Sequence, residues 1–251
     1  MAGHSKWSKV KRFKGALDAK RGKIFSRFSK EIMVATRMGG GDINMNPRLR
    51  TAVLAARAQN MPNDTIDRAI QKGTGEIAGG IVEELIYEGY GPGGVALIVE
   101  TATDNKNRTA ADIRSVFAKN HGHLAASGAV SYMFKRKGQI TVSKDGVDED
   151  KFMEIALDAG ADDLTLEDDV YVVATPHDKL YQVAEAIKNA GIHAEAHKLT
   201  FVPGNTVPVT DEAIAGQVLR LYDALEENDD VQNVYSNFDI SDDLLAKLTT
   251  H

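Results

Sequence analysis

The chain has 251 residues, of which 43% are hydrophobic and 26% charged, an ordinary composition for one large or two to three small globular domains. It contains no cysteine, which excludes a disulfide framework and a thiolate metal site, and no apolar run approaches the roughly 20 residues of a membrane helix. The first residues lack the apolar core of a signal peptide, so we expect a cytoplasmic protein without a membrane partner.

Positive charge is concentrated at the beginning of the chain. Residues 1–37 contain eleven Lys or Arg and two acidic residues, although the formal net charge of the whole protein is −6. Residues 1–72 carry a net charge of +11 and residues 73–251 a net charge of −17. We therefore expect the N-terminal region to bind an anion and the remainder to have a different role.

A long amphipathic helix is predicted from Asp18 to Met38. Its apolar residues fall in one arc of about 100° and its cations in a neighbouring arc of about 100°. The apolar stripe is Ile24, Phe25, Phe28, Ile32 and Ala35, and the basic ridge is Lys20, Lys23, Arg27, Lys30 and Arg37. A charged helix face is often merely solvated. This ridge continues into a basic tail that contains Trp7, so we predict that it binds nucleic-acid phosphates.

Two further helices complete a predicted three-helix domain at residues 1–78. The glycines at 39–41 end the first helix. The second helix is predicted over 48–57, and the third opens after Pro62. A glycine-rich stretch at 73–80 is interpreted as the linker to the next domain.

From Ile81 onward, short apolar segments replace the helical spacing. The predicted elements are strands 85–87 and 95–99, a helix after 104–109, a strand at 130–134, a helix at 211–227 and a strand at 231–236. The last two elements supply the helix and strand that the first four lack. Residues 79–134 and 204–251 are therefore predicted to form one discontinuous α/β domain.

An inserted domain is predicted at residues 135–203. Its elements are strand 139–143, helix 150–159, strands 162–166 and 170–174, helix 177–189 and strand 194–202. This βαββαβ order is ferredoxin-like. The predicted fold class is α+β, with an N-terminal three-helix domain followed by two α/β sandwich domains, the ferredoxin-like one inserted into the other.

Short motifs that could mark ligand sites fit structural roles better. The pattern Gly89-x-Gly91-x-x-Gly94 matches a dinucleotide-binding expression, but a strand follows it where a helix is required. His193 and His197 would lie about 13 Å apart in a strand, too far for one metal ion. With no phosphate loop or nucleophile elbow, we predict no catalytic residues, no metal, no cofactor, no small-molecule substrate and no enzymatic activity.

Two basic segments outside the tail leave alternatives open. In 104–109, the Asn and Asp residues are typical helix caps, whereas Lys106 and Arg108 would also suit a phosphate. The three cations at 135–137 either extend a basic track or solubilise a turn. The predicted nucleic-acid contacts are Lys6, Trp7, Lys9, Lys11, Arg12, Lys14, Lys20, Arg21, Lys23, Arg27, Lys30, Lys106 and Arg108.

Six ordered motifs resemble the YebC/PmpR family. They are Gly3–Trp7, Asp18–Lys23, Gly39–Asp42, Asn46–Arg50, Tyr87–Gly94 and Asp104–Thr109. The resemblance covers essentially the whole chain and implies a helical domain followed by two α/β domains, in a cytoplasmic bacterial protein without enzymatic activity. One departure is Ser8-Lys9-Val10, where many relatives carry a basic residue and isoleucine.

The resemblance implies two functions. One is a DNA-binding transcriptional regulator, which is our first interpretation. The alternative is a ribosome-associated translation factor that helps elongation through difficult sequences such as proline runs; the mitochondrial relative is a translational activator for cytochrome oxidase. The expected partner is thus DNA or ribosomal RNA, with the ribosome as the assembly in the second case. A protein-interaction scaffold is the third class, but it would not need eleven cations in 37 residues.

Overall fold

The structure is a computed structural model that describes residues 17–167 and 169–249. Its helices are α1 (Leu17–Gly39), α2 (Pro47–Ala58), α3 (Asn63–Thr74), α4 (Lys106–Lys119), α5 (Glu149–Asp158), α6 (Leu180–Asn189), α7 (Glu212–Glu226) and α8 (Asp242–Thr249). Its strands are β1 (Glu83–Tyr90), β2 (Ala96–Thr103), β3 (His123–Leu124), β4 (Phe134–Ser143), β5 (Asp163–Glu167), β6 (Val170–Pro176), β7 (Ala194–Pro203), β8 (Val207–Pro208), β9 (Val231–Ser236) and β10 (Phe238–Asp239). The predicted α+β class is confirmed.

The described chain divides into two compact units. Unit 1 contains the described residues up to Phe134 and those from Pro203 onward, and unit 2 is Lys135–Val202. Helices α1 to α3 belong to unit 1 together with the first sheet. Among the described residues, no helix is both long enough and apolar enough to cross a membrane.

Helices α1, α2 and α3 form a small bundle around a continuous apolar core. Ile32, Leu49 and Ile66 are each at most 1% exposed in this core. Phe25 and Phe28, which belong to the predicted apolar stripe, are only half-buried against it. The second half of α1 therefore forms the centre of the bundle. The first half of α1 is available for other contacts.

Asn46 joins the end of α1 to the start of α2. Its side-chain oxygen caps α2 by accepting a 3.0 Å hydrogen bond from the Leu49 amide. Its amide group donates to the carbonyl oxygens of Ala35, at 2.8 Å, and Gly40, at 2.9 Å. Gly40 has a φ of +83°, the left-handed conformation in which a glycine ends a helix. One buried side chain thus fixes the angle at which α2 leaves α1.

The sheet of unit 1 has the strand order β3-β1-β2-β9, and each neighbouring pair is antiparallel. One face packs against α4 and α7 through buried residues such as Leu97, Phe117 and Leu221. Strand β9 comes from the C-terminal segment and pairs with β2, with Ile98 opposite Tyr235. The end of the chain therefore completes the sheet that β1 and β2 begin.

Helix α1 also contacts this sheet. Val34 packs with Val82 and Ala102 in a separate buried cluster. Arg48 of α2 forms ion pairs with Glu31 of α1, at 2.8 Å, and with Glu84 of β1. Burial opposes the charge on Arg48, but the hydrogen bonds that Arg48 donates to both glutamates outweigh burial and raise its pKa. The guanidinium is thus fully used in holding the bundle to the sheet.

The chain leaves and re-enters unit 1 at one point. Buried Glu88 of β1 accepts hydrogen bonds from the amides of Gly128, Val130 and Ser131, at 2.7 to 2.9 Å. Burial opposes its ionisation, but these three bonds outweigh burial and hold its pKa below the ordinary value. The amide of Gly204 donates to the carbonyl of Met133 at 2.8 Å. We call the pair Met133 and Gly204 the neck of the insertion.

Unit 2 is ferredoxin-like. Its order of elements is β4-α5-β5-β6-α6-β7, and its sheet order is β5-β6-β4-β7. Strand β6 pairs antiparallel with both β4 and β5. The core lies between the sheet and the two helices, where Ile140, Phe152 and Ile187 are fully buried.

Three local predictions were wrong or incomplete. Residues 130–134 were predicted as a strand, but Ser131–Met133 is a 3₁₀ turn and Tyr132 is 76% exposed. The short strand β3 takes the predicted strand's place at the sheet edge. Strands β8 and β10, which pair in parallel, and helix α8 were not predicted.

Candidate nucleic-acid interface

The described cations at the start of the basic ridge face the protein. The Lys23 ammonium donates to the carbonyl of Glu227 at 2.7 Å, and Arg27 donates through Nη2 to the carbonyl of Glu226. These oxygens lie at the end of α7, where helix carbonyls have no partner within the helix and carry partial negative charge. The two cations therefore cap the C-terminus of α7.

Lys30 continues the same contact into the loop that follows α7. Its ammonium lies 2.6 Å from Oδ1 of Asp230 and 2.8 Å from the carbonyl of Asp229. The Asp230 side chain is only 8% exposed and the Lys30 side chain 19%. We call the contacts of Lys23, Arg27 and Lys30 with residues 226–230 the α1 clamp.

Asp230 is the acceptor on which several elements of unit 1 meet. Its Oδ2 accepts hydrogen bonds from the hydroxyls of Thr109, at 2.6 Å, and Thr103, at 3.3 Å, and lies 3.6 Å from Arg108. Burial opposes ionisation of Asp230, but the hydrogen bonds from Lys30 and Thr109 outweigh burial, so its pKa lies below the ordinary value. The clamp therefore ends on a buried, charged carboxylate.

The cations at the start of α4 also lie on acidic partners. Asn105 caps α4 by accepting from the amide of Arg108 at 3.1 Å, so the capping interpretation of this segment is confirmed. The Lys106 ammonium lies 2.8 Å from Glu83, and the Arg108 guanidinium lies 3.0 Å from Asp104. Each of these two side chains is more than half exposed, so its ion pair leaves part of it open to a phosphate. Their role as phosphate contacts stays a prediction.

Eight of the predicted contacts have side chains outside the described part of the chain. Lys6, Trp7, Lys9, Lys11, Arg12 and Lys14 lie outside the described residues. Lys20 and Arg21 belong to α1, but their side chains also fall outside the description. Of the thirteen predicted residues, the structure brings Lys30 and Arg108 together on Asp230 and places Lys23 and Arg27 beside them.

A second cationic surface lies on α2 and was not among the predicted contacts. This helix contains three arginines and no acidic residue. Arg50 donates to the carbonyls of Ile43 and Asn44, and Arg57 lies 3.3 Å from the side-chain oxygen of Asn63. All these acceptors are neutral. The absence of acids from 47–58 was visible in the sequence, but which arginine pairs with an acid was not, because Glu84 is 36 residues from Arg48.

The glycine motif forms the turn between β1 and β2. Pro92–Gly94 is a 3₁₀ turn, and the amide of Gly91 donates to the carbonyl of Val95 at 2.8 Å. A strand follows, as predicted. His197 lies in β7 with its ring centroid 5.8 Å from that of Tyr181. Within 17–167 and 169–249, no three His, Asp or Glu side chains converge in a group that could hold a metal ion.

The fold and these surfaces define a non-repetitive α+β protein with a cationic helical bundle, and comparisons with known proteins agree. A family model described as "TACO1/YebC second and third domain" matches residues 82–238, and one described as "TACO1/YebC protein N-terminal domain" matches residues 5–76. The chain belongs to the TACO1/YebC family.

Curated relatives match over the full length. A protein of Syntrophobacter fumaroxidans is 56% identical over 99% of this chain and 100% of its own length, and one of Syntrophus aciditrophicus is 52% identical with the same coverage. Both are named "Probable transcriptional regulatory protein". A crystal structure of a conserved hypothetical protein from Aquifex aeolicus is 48% identical, with a TM-score of 0.83 over 90% of this chain and 93% of that one. At the level of the family, the protein is a regulator.

Proposed function

We propose that this protein is a cytoplasmic, DNA-binding transcriptional regulator that binds nucleic acid through its N-terminal region. In this proposal it has no enzymatic activity. The observation that carries the proposal is the separation of charge, +11 in residues 1–72 and −17 in residues 73–251. Duplex DNA carries one negative charge per about 1.7 Å of its axis, so a cationic region is attracted to it and an acidic body repelled.

This separation favours one orientation on a polyanion. Phosphate contacts from Lys and Arg supply most of the affinity of a nucleic-acid-binding protein and fix its position. An acidic body of −17 keeps the remaining surface away from the same polymer. The names of the relatives, which describe transcriptional regulatory proteins, support the same function.

A translation factor bound to ribosomal RNA is the second candidate. The charge of the body favours it, because an acidic surface of this size also suits basic proteins such as those that accompany ribosomal RNA. Phosphate contacts alone do not distinguish DNA from RNA. Crosslinking in cells, followed by sequencing of the attached nucleic acid, decides between promoter DNA and ribosomal RNA.

The salt dependence of binding tests the proposal itself. If about five cations neutralise phosphates, the slope of log K against log salt is about −4 to −5 for duplex DNA and about −3 to −4 for a single strand. Changing Lys9, Lys11, Arg12 and Lys14 to Gln should flatten this slope. A matched control replaces four exposed lysines of unit 2, Lys144, Lys151, Lys179 and Lys188.

Trp7 offers a separate readout. Stacking of a base on an aromatic ring contributes about 1 to 3 kcal/mol to binding, so Trp7→Ala should weaken binding by that amount. A wild-type protein that binds neither polymer, or binds with a slope near zero, would contradict the proposed function.

A further inference from the structure

We infer that the outer face of α2 binds the phosphate backbone of a nucleic-acid strand. This outer face consists of Pro47, Arg50, Thr51, Leu54, Arg57 and Ala58. The inference rests on the proposed function and names the part of the bundle that meets the ligand.

The outer face follows from the way α2 packs. Leu49, Ala52, Val53 and Ala56 are at most 5% exposed and occupy one side of the helix. The opposite side carries Leu54, which is 56% exposed, in its centre. In a helix with 3.6 residues per turn, Pro47, Thr51, Leu54 and Ala58 form the outermost line, and Arg50 and Arg57 flank it on one side.

No acidic side chain among the described residues pairs with the arginines of this face. Arg48, the third arginine of α2, is bound to Glu31 and Glu84 on the other flank. Within the described residues, Arg50 and Arg57 donate only to neutral oxygens of nearby residues, so both guanidinium charges remain available to an anion. Arg50 is in addition held by two carbonyls of the preceding loop, which lowers the ordering cost of binding.

The spacing of the arginines suits a polyanion with a regular repeat. Arg50 and Arg57 are seven residues apart, so they lie on the same side of α2 and roughly 10 Å apart along its axis. The phosphates of a nucleic-acid strand form a continuous line of negative charge, so both arginines can meet phosphates of the same strand. Thr51 and Leu54, the outer residues between them, carry no charge that would repel the strand.

A protein partner fits this face less well. One exposed leucine between two arginines is not the contiguous apolar patch that marks a protein interface. Leu54 is instead placed to contact a sugar or base while the arginines hold the flanking phosphates. Nucleic acid satisfies both the charge and the shape of the surface.

The test uses the full-length protein and short fluorescent probes of random sequence, one a DNA duplex and one a single-stranded RNA. The double variant Arg50→Gln with Arg57→Gln is compared with Arg68→Gln with Arg114→Gln, which removes two exposed arginines from other helices of unit 1. We expect the α2 variant to lower the salt slope by about 2, one per lost phosphate contact, and the control to leave it unchanged.

A further variant keeps the test independent of the loop that Arg50 holds. Leu54→Glu places a negative charge in the centre of the outer face without altering any arginine, and should weaken binding at least about tenfold. Thermal unfolding of each variant confirms that it is folded. The probe whose binding is weakened more by the α2 variants shows whether the outer face of α2 binds DNA or RNA.

The outcomes separate this inference from the proposed function. If the wild type binds with a salt slope and the α2 variants bind as the Arg68/Arg114 control does, the outer face of α2 is not the binding surface and only this inference fails. If the α2 variants lose binding to a protein partner but bind both probes as tightly as the wild type does, the inference also fails. A wild type that binds neither probe overturns both.

Discussion

Helices α1 and α2 carry the same kind of charge and use it differently. On α1, Lys23, Arg27 and Lys30 are directed at the carbonyls and carboxylate of residues 226–230. On α2, the acceptors of Arg50 and Arg57 within the described part of the chain are all neutral oxygens of nearby residues. The groups that face a cation on a helix surface therefore determine whether it stabilises the fold or can bind a ligand. The sequence of the helix alone does not determine this.

The energetic reason for the difference is the helix end that α1 meets. The last carbonyls of α7 are without partners in the helix, and leaving them unsatisfied against another element costs free energy. Cations at a helix C-terminus satisfy these groups and favour the helix dipole. In the part of the chain that the structure describes, Arg50 and Arg57 on α2 do not bind the carbonyls of a helix C-terminus. They are therefore not needed to satisfy such groups.

The inner and outer lines of α2 should differ most under truncation. Leu49→Ala removes a fully buried side chain from the bundle core and should lower the free energy of unfolding by about 4 kcal/mol. Leu54→Ala, on the outer face, should change it by less than about 0.5 kcal/mol. Denaturant unfolding of both variants provides the measurement. Similar losses would show that the outer face is covered.

Removing the acceptor of the α1 clamp should have the next largest effect. Asp230→Asn leaves the largely buried Lys30 without its charged partner, removes the second carboxylate beside Arg108, and should lower the free energy of unfolding by about 3 kcal/mol. Urea unfolding monitors the change, and nucleic-acid affinity serves as the second readout. A destabilised variant whose affinity is unchanged, once folding is verified, would confirm that clamp and binding surface are separate. A loss of nucleic-acid affinity as large as the loss of stability would show that the clamp and the binding surface are the same.

Acidification should release the clamp in the wild type. The folded-state pKa of Asp230 lies below its ordinary value, so its contribution to stability is fully present above the unfolded-state pKa of about 3.9. The contribution is lost as the pH falls through the lower folded-state pKa. Stability measured between neutral pH and pH about 3 should therefore fall more steeply in the wild type than in Asp230→Asn. Glu88 adds a loss of the same sign, and Glu88→Gln isolates it.

The smallest effect is expected at the exposed end of the clamp. Lys23 is exposed, and its bond to the carbonyl of Glu227 is shared with solvent. Lys23→Gln should therefore change the free energy of unfolding by less than about 1 kcal/mol. Calorimetric unfolding at low and moderate salt checks this value. An effect as large as that of Asp230→Asn would mean that Lys23 is a main support of the clamp.

Much of the fold could be predicted because local signals agree with the tertiary structure. Strand β9 was predicted at its observed bounds, 231–236, and α2 within one residue of each end. Asn105 and Asp211 were the residues that marked helix starts, and both act as caps. The pattern of Val130 and Phe134 misled because both are buried, as in a strand, while the residues between them form a turn.

The site could be predicted only in part. Sequence placed the cations of α1 on one side of the helix, but their acceptors are about 200 residues away in the loop after α7. No periodicity links positions so distant. The two-residue strands β8 and β10 were missed for a related reason, since their pairing depends on the return of the chain and not on any local pattern.

The neck of the insertion has a consequence for the unfolded chain. Met133 and Gly204 are hydrogen-bonded, so a connection of a few residues between them would replace the 68 residues of Lys135–Val202 without moving either end. Closing a loop of about 4 residues costs about 2.5 kcal/mol less entropy than closing one of about 70. Unit 1 bears this cost only while unit 2 is unfolded, because β4 and β7 are neighbours in the sheet of unit 2 and its folding brings the two ends of the insertion together.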